Sequence, residues 1–482
     1  YAVTGVQTCA LPIWLQADGL LPLAATGDEA RPVRVRGQLK LGETVLQLDG
    51  QVRDVLQFSA LDADFDLRGP SLAALGDLFG LALPATPAYS GNGHINKEGV
   101  VWATRVDALK VGSSRLNGRF RYDPRSAVPQ LTGELGGQHL LLGDLGPAIG
   151  GTSGGQARGK ESGKGGRVLP QKTFDLPSLK RMNADVTVRL DRFDLGTPAL
   201  DVLAPLNARL RLQDQVLTVQ ELLTRSAAGE LRGEIKLDAR REVPQFSTRL
   251  SWSGVALERF IKVRNTNTRR PAGTAPPAYI GGLFSGRTEL SGKGNSTARL
   301  LGSLDGNARL WVRNGYLSHL LVELTGLDLA EGLGVLIKGD QPLTMNCAVA
   351  GLKIDGGLVR PELALIDTAD STITVVGEVS LADERLALRV SAHPKDRSPI
   401  TLRSPVHVQG SFAEPDIALD KRSIGLRAAA AAALAAVTPL AALLALVDLG
   451  EPEKAVCSEA LKTLEKTPDR KSTRLNSSHG II

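Results

Sequence analysis

Apolar and polar residues take turns along most of this chain. In the stretch from Ser371 to Val390, Ile373, Val375, Val379 and Leu381 alternate with Thr374, Glu378 and Ser380, and Gly377 keeps step on the apolar side. After the polar break 382–385, Leu386, Leu388 and Val390 resume the alternation. A period of two with one apolar side predicts a β-hairpin with one oily face. The same pattern recurs at 33–42, 115–123, 184–190, 208–213, 229–239 and 307–315. A short phrase recurs inside it, an aliphatic residue, one residue, glycine, one residue and another apolar one. It centres on Gly50, Gly118, Gly133, Gly233, Gly377 and Gly410. Glycine inside a strand marks a bulge, a bend or a close approach to the backbone. Repeated strand units predict a long sheet grown by accretion, each strand touching mainly its neighbours. Their uneven spacing excludes a regular propeller or leucine-rich array.

Few segments break the alternation. Residues 71–83 and, interrupted by glycines, 317–337 carry helical spacing. Residues 146–170 are rich in Gly, Ser and Lys and read as a flexible linker, and 264–279 is irregular. Ala428–Val447 is uncharged over the length of a spanning helix. It is mostly alanine and contains Pro439, so a docked or interfacial helix fits it as well as a span. The expected class is mainly β: a long curled antiparallel sheet, trough-like or sandwich-like, with a few short helices and a C-terminal helical segment. Its expected divisions are 14–145, the linker 146–170, 171–290, 291–420 and an apolar helical 421–467.

The two ends stand apart. Residues 3–13 and 469–479 are what two reverse-complementary DNA strings encode, and those strings resemble a sequencing-library adapter. Residues 1–13 and 468–482 are therefore set aside from fold reasoning, with the true start expected to be missing. The whole chain has 57 basic and 51 acidic residues; without Asp469, Arg470, Lys471 and Arg474 the count is 54 against 50, a net charge of +4. Such a mild charge, spread singly along polar strand faces, points away from nucleic acid. With Cys9 set aside, Cys347 and Cys457 remain, an even pair that fits either a disulfide or two reduced thiols.

Catalytic patterns are scarce. Gly151-Thr152-Ser153-Gly154-Gly155 matches a nucleophile elbow in letters, but it sits in the linker without the strand and helix that motif needs. His94, His139, His319, His393 and His407 are scattered, and neither they nor the cysteines show metal-ligand spacing. Asp367 and Asp370 read as turn caps. Aromatic residues make up only 4% of the chain, too few for base-stacking platforms. No enzyme, cofactor or metal is expected.

From Leu301 to Asp420 the chain closely resembles the C-terminal domain of the AsmA family of bacterial envelope proteins. The resemblance rests on residues 320–328 (LLVELTGLD), 346–349 (NCAV), 367–374 (DTADSTIT), 393–412 (HPKDRSPITLRSPVHVQGSF) and 456–461 (VCSEAL). Residues 69–93 and 169–186 resemble the family's middle region. The resemblance implies a non-enzymatic periplasmic protein of a Gram-negative bacterium, held in the inner membrane by an N-terminal helix that this sequence lacks. It also implies a part in outer-membrane assembly, with the outer-membrane assembly machinery as a partner. Relatives of the TamB type imply a hydrophobic trough that carries phospholipid or other membrane lipids. On that reading Leu116, Phe120, Leu231, Ile235, Val375 and Val379 line the groove, and Cys347 and Cys457 form a disulfide tying the C-terminal helix to the sheet. A closed sandwich core would turn the same residues inward, and a scaffold for outer-membrane protein insertion that carries no lipid is the competing function.

Overall fold

The computed structural model describes residues 13–17, 32–53, 59–79, 83–149, 167–171, 173–174, 177–197, 200–262, 278–318, 342–369, 371–395 and 405–419. The alternating segments become strands. The first half runs β1 (Ile13–Ala17), β2 (Val33–Leu41), β3 (Thr44–Arg53), β4 (Ala60–Gly69), β5 (Tyr89–Glu98), β6 (Val101–Val111), β7 (Ser114–Asp123) and β8 (Gln130–Leu141). The second runs β9 (Asn183–Leu190), β10 (Phe193–Asp194), β11 (Leu206–Gln213), β12 (Val216–Ser226), β13 (Gly229–Asp238), β14 (Gln245–Ala256), β15 (Ile280–Lys293) and β16 (Asp305–Ser318). It closes with β17 (Pro342–Asp355), β18 (Leu358–Thr368), β19 (Ser371–Ser380), β20 (Arg385–Pro394), β21 (Val406–Ser411) and β22 (Pro415–Leu419).

Each strand pairs with the next, so the sheet order is the chain order. The two-residue β10 sits outside it, beside the end of β8. The remaining 21 strands form one long open sheet, antiparallel at every step but one. That step is β8–β9, which run parallel from Gln130↔Asn183 to Gly137↔Leu190. A parallel neighbour requires the chain to return to the starting end, which residues 142–182 do. Its described residues from 167 to 174 run along the rim where β15 and β19 end. Thr173 bridges Ser296, Ala298 N–H donates to the Pro170 carbonyl (3.0 Å), and Val168 and Leu169 N–H donate to the buried Glu384 carboxylate (2.5 and 3.3 Å).

Three short α-helices accompany the sheet among the described residues: α1 (Leu72–Phe79), α2 (Leu257–Phe260) and α3 (Thr297–Leu301). The first answers to the helix expected at 71–83. At the start of the helix expected at 317–337, Leu317 and Ser318 instead end β16, and residues 319–341 lie outside the described residues. Most of the linker, 150–166, and all of 420–482 also lie outside them, as do Ser153, His319, Asp370 and Cys457.

Among the described residues, no single core gathers the buried side chains. They form separate clusters of laterally adjacent strands, such as Val35, Val52, Leu61 and Ala63 on β2–β4, or Leu140, Val186, Val188, Leu190 and Ala208 on β8, β9 and β11. A sandwich would bury one sheet face against another; here most of the apolar face is half-buried.

Candidate functional site: the uncharged face of the sheet

Cross-strand register shows what the apolar face amounts to. Starting at Phe120, the residues directly opposite run through Gly133, Val186, Leu210, Val219 and Ile235 to Thr248. From there the row continues through Leu290, Gly306, Ile354, Val359, Val379, Leu386 and Gly410 to Pro415 on β22. In the other direction it passes Thr104, Ile95, Ala63, Gly50 and Val35 to Ala17 on β1. One residue from each of 21 strands lies in this row, and none carries a charge. At about 4.8 Å per strand the row is about 95 Å long.

The six expected groove residues all fall on this face. Phe120, Ile235 and Val379 lie in the row itself. Leu116 and Leu231 share a second row, through Gly137, Leu190, Leu206 and Thr224. Val375 is on the same face of β19 as Val379 and stands opposite Val390. All six are half-buried, neither sealed in a core nor fanned out to solvent.

Glycine explains how the face is shaped. A Cβ built on Gly50, Gly93, Gly133, Gly233, Gly306 or Gly377 would fall 2.0–2.3 Å from a carbonyl oxygen of the adjacent strand. Real Cβ atoms do not come so close. All six glycines are on the uncharged face. At these six positions the neighbouring backbones come too close for any side chain, and the uncharged face is taken as the concave side of the sheet, its charged opposite as the convex side. Gly118 and Gly133 also make room for a large neighbour, since a Cβ on either would meet the Phe120 ring at 2.6 and 2.9 Å.

The opposite face is charged, and its charges pair across strands. Arg36 donates to Asp49 (2.7 and 3.0 Å), Arg209 to Asp185 (2.7 and 2.8 Å) and Arg249 to Glu289 (2.9 Å). The Arg36 and Arg209 guanidiniums hold the Asp49 and Asp185 carboxyls below the ordinary carboxylate range. At the hairpin ends, hydrogen bonds from Arg125 and Arg240 lower Asp123 and Asp238 to about 2. Such exposed pairs add little stability; they keep this face wet. His94 lies between Asp62 (3.4 Å) and Asp64 (2.9 Å) on it, and no cluster of metal-ligating residues occurs among the described residues. Asp367 ties the β18–β19 turn to the end of β20, taking an ion pair from Lys395 (2.5 Å) and a hydrogen bond from Asn346 (2.8 Å).

Sequence reasoning missed one feature of this outer face. Between β16 and β18 the charges give way to Trp311, Cys347, Val349, Leu363 and Leu365, with Cys347, Val349 and Leu365 buried. Cys347 is disulfide-bonded, to a partner outside the described residues. The signal was present in residues 347–352 and 363–366, which are apolar or small in both phases of the alternation. A strand covered on both sides reads that way.

Comparison with known proteins identifies the chain's family. The sequence model of the AsmA family matches residues 6–363, about three quarters of the chain. The chain belongs to the AsmA family. It is 31% identical over 470 residues to the AsmA family protein YhjG of Escherichia coli (strain K12), covering 92% of this chain and 67% of that protein. The family match starts within residues 3–13 and ends within β18. No solved structure matches. No helix among the described residues is long and apolar enough to cross a membrane, and Ala428–Val447 lies outside them.

Proposed function

We propose that this AsmA-family chain is a non-enzymatic envelope protein that shields phospholipid acyl chains on the concave face of its sheet and conveys them between membranes. The unbroken uncharged row from Ala17 to Pro415 carries the reading. Exposing an acyl CH₂ to water costs about 0.8 kcal/mol, so a sixteen-carbon chain costs on the order of 10 kcal/mol to move unprotected. A half-buried apolar face offers that chain a surface, whereas a sealed core offers it none. Charged residues on the convex face meet water, which suits a periplasmic protein tethered at the inner membrane and serving outer-membrane assembly.

The test is photo-crosslinking. A photoreactive residue placed at Phe120 or Val375 is expected to label phospholipid in cells, while the same residue at Arg119 or Glu378 on the convex face is not. Labelling of proteins alone from Phe120 and Val375 would overturn lipid carriage and leave a scaffold for outer-membrane protein insertion.

A further inference from the structure

A single sheet face cannot bury itself, yet Cys347, Val349 and Leu365 on the convex face are 2%, 3% and 5% exposed. Among the described residues, every apolar member of their cluster comes from β16, β17 or β18, all on that one face. Another segment therefore lies on it, and the disulfide at Cys347 says which. The chain has two other cysteines, Cys9 and Cys457. Cys9 precedes β1 by four residues, a reach of about 14 Å. From β1 to β17 is fifteen strand steps, about 70 Å along the sheet. Cys457 is joined to β22, five steps from β17, by a segment of 37 residues between Leu419 and Cys457, long enough to return.

We infer that the convex patch of Trp311, Cys347, Val349, Leu363 and Leu365 is the seat of the chain's own segment around Cys457, locked there by a Cys347–Cys457 disulfide. The segment has the matching chemistry. Val456, Cys457, Ala460, Leu461 and Leu464 recur at the spacing of one helical face, with charged residues between them. Such a stripe laid on the patch would cover an apolar island in an otherwise charged face. The bond closes a loop of about 110 residues, which on the chain-entropy account stabilises the fold by more than a short loop would. The seat is on the convex side, so it leaves the uncharged row free, and it holds whether or not that row carries lipid. Its consequence is positional: Ala428–Val447 becomes a loop fixed at both ends to the C-terminal third of the sheet.

The full chain, purified without reductant, is unfolded, blocked with maleimide and digested with trypsin. The expected product is residues 339–353 linked to 455–462, with Cys347 unblocked by maleimide until reduction. A free Cys347, a bond from Cys347 to Cys9, or a bond between two copies of the chain would overturn the assignment. Docking is read separately, by hydrogen exchange in a Leu461→Glu variant that keeps both cysteines and in a Cys457→Ser variant. Exchange at Val349 and Leu365 is expected to quicken about tenfold or more in at least one of them, with β3–β5 unchanged. Exchange at Val349 and Leu365 that stays at the parent rate in both variants would overturn the seat, and so would equal quickening in β3–β5.

Discussion

At the scale of single residues, the strongest local device lies where β8 ends and the return crossover begins. Asp144 is 2% exposed, and its Oδ2 accepts from Ser113 N–H (3.0 Å), Ser114 N–H (2.9 Å) and Ser114 Oγ–H (2.6 Å). Ser114 Oγ in turn accepts from Leu141 N–H (3.0 Å). One carboxylate thus ties the β6–β7 turn to the last residue of β8. Asp144→Ala is expected to strand three donors in a buried site and to lower unfolding stability by about 3 kcal/mol, read from urea denaturation. A loss under about 1 kcal/mol would show that water reaches the site. Nothing in the sequence announced this knot, because Asp144 and Ser114 stand 30 positions apart and neither occurs in a recognisable motif. What was legible at this scale was the face on which each alternating residue falls, since a period of two leaves no other choice once one member is placed. The convex patch was overlooked for the converse reason: in residues 347–352 both phases are apolar, and alternation stops distinguishing the faces.

At the scale of elements, the repeated glycine phrase carried more information than its composition suggested. Bulge, bend and close approach were all open from sequence; close approach is what the structure shows, with the neighbouring strand's own carbonyl as the object. Gly233 illustrates the constraint, since its built Cβ would sit 2.3 Å from the Arg249 carbonyl and 2.5 Å from Leu250 Cδ2. A carbonyl in a ladder cannot step aside without breaking the β13–β14 pairing. Gly233→Val is therefore expected to destabilise by several kcal/mol despite the high β-propensity of valine. A neutral or stabilising effect in thermal melts would mean that the curl is not imposed by these contacts. The parallel step at β8–β9 was not legible, because an alternating pattern has no direction. Only the length of the connection, unneeded for a hairpin, hinted that the chain goes back to the far end before pairing again.

At the scale of the whole molecule, the question is whether the row is one open path or a closed core, and a charge placed in it separates the two. Ile235 sits on β13, between Phe120 on β7 and Val375 on β19, and it is half-buried. In a sealed core, Ile235→Glu would bury an unpaired carboxylate at a cost of several kcal/mol, and the sheet would unfold or the acid would stay protonated. On an open concave face the carboxylate reaches water, so the loss is expected to be about 1–2 kcal/mol, mostly the transfer term of the missing side chain. The folded variant then poses a barrier to an acyl chain sliding past it, because the chain must desolvate that carboxylate or leave the surface. Lipid crosslinking from Phe120 and from Val375 should therefore become unequal, kept on the side where lipid enters and reduced about tenfold on the other. Equal labelling at both positions in a folded variant would mean that lipid joins the face at many points and that the 95 Å row is not a route.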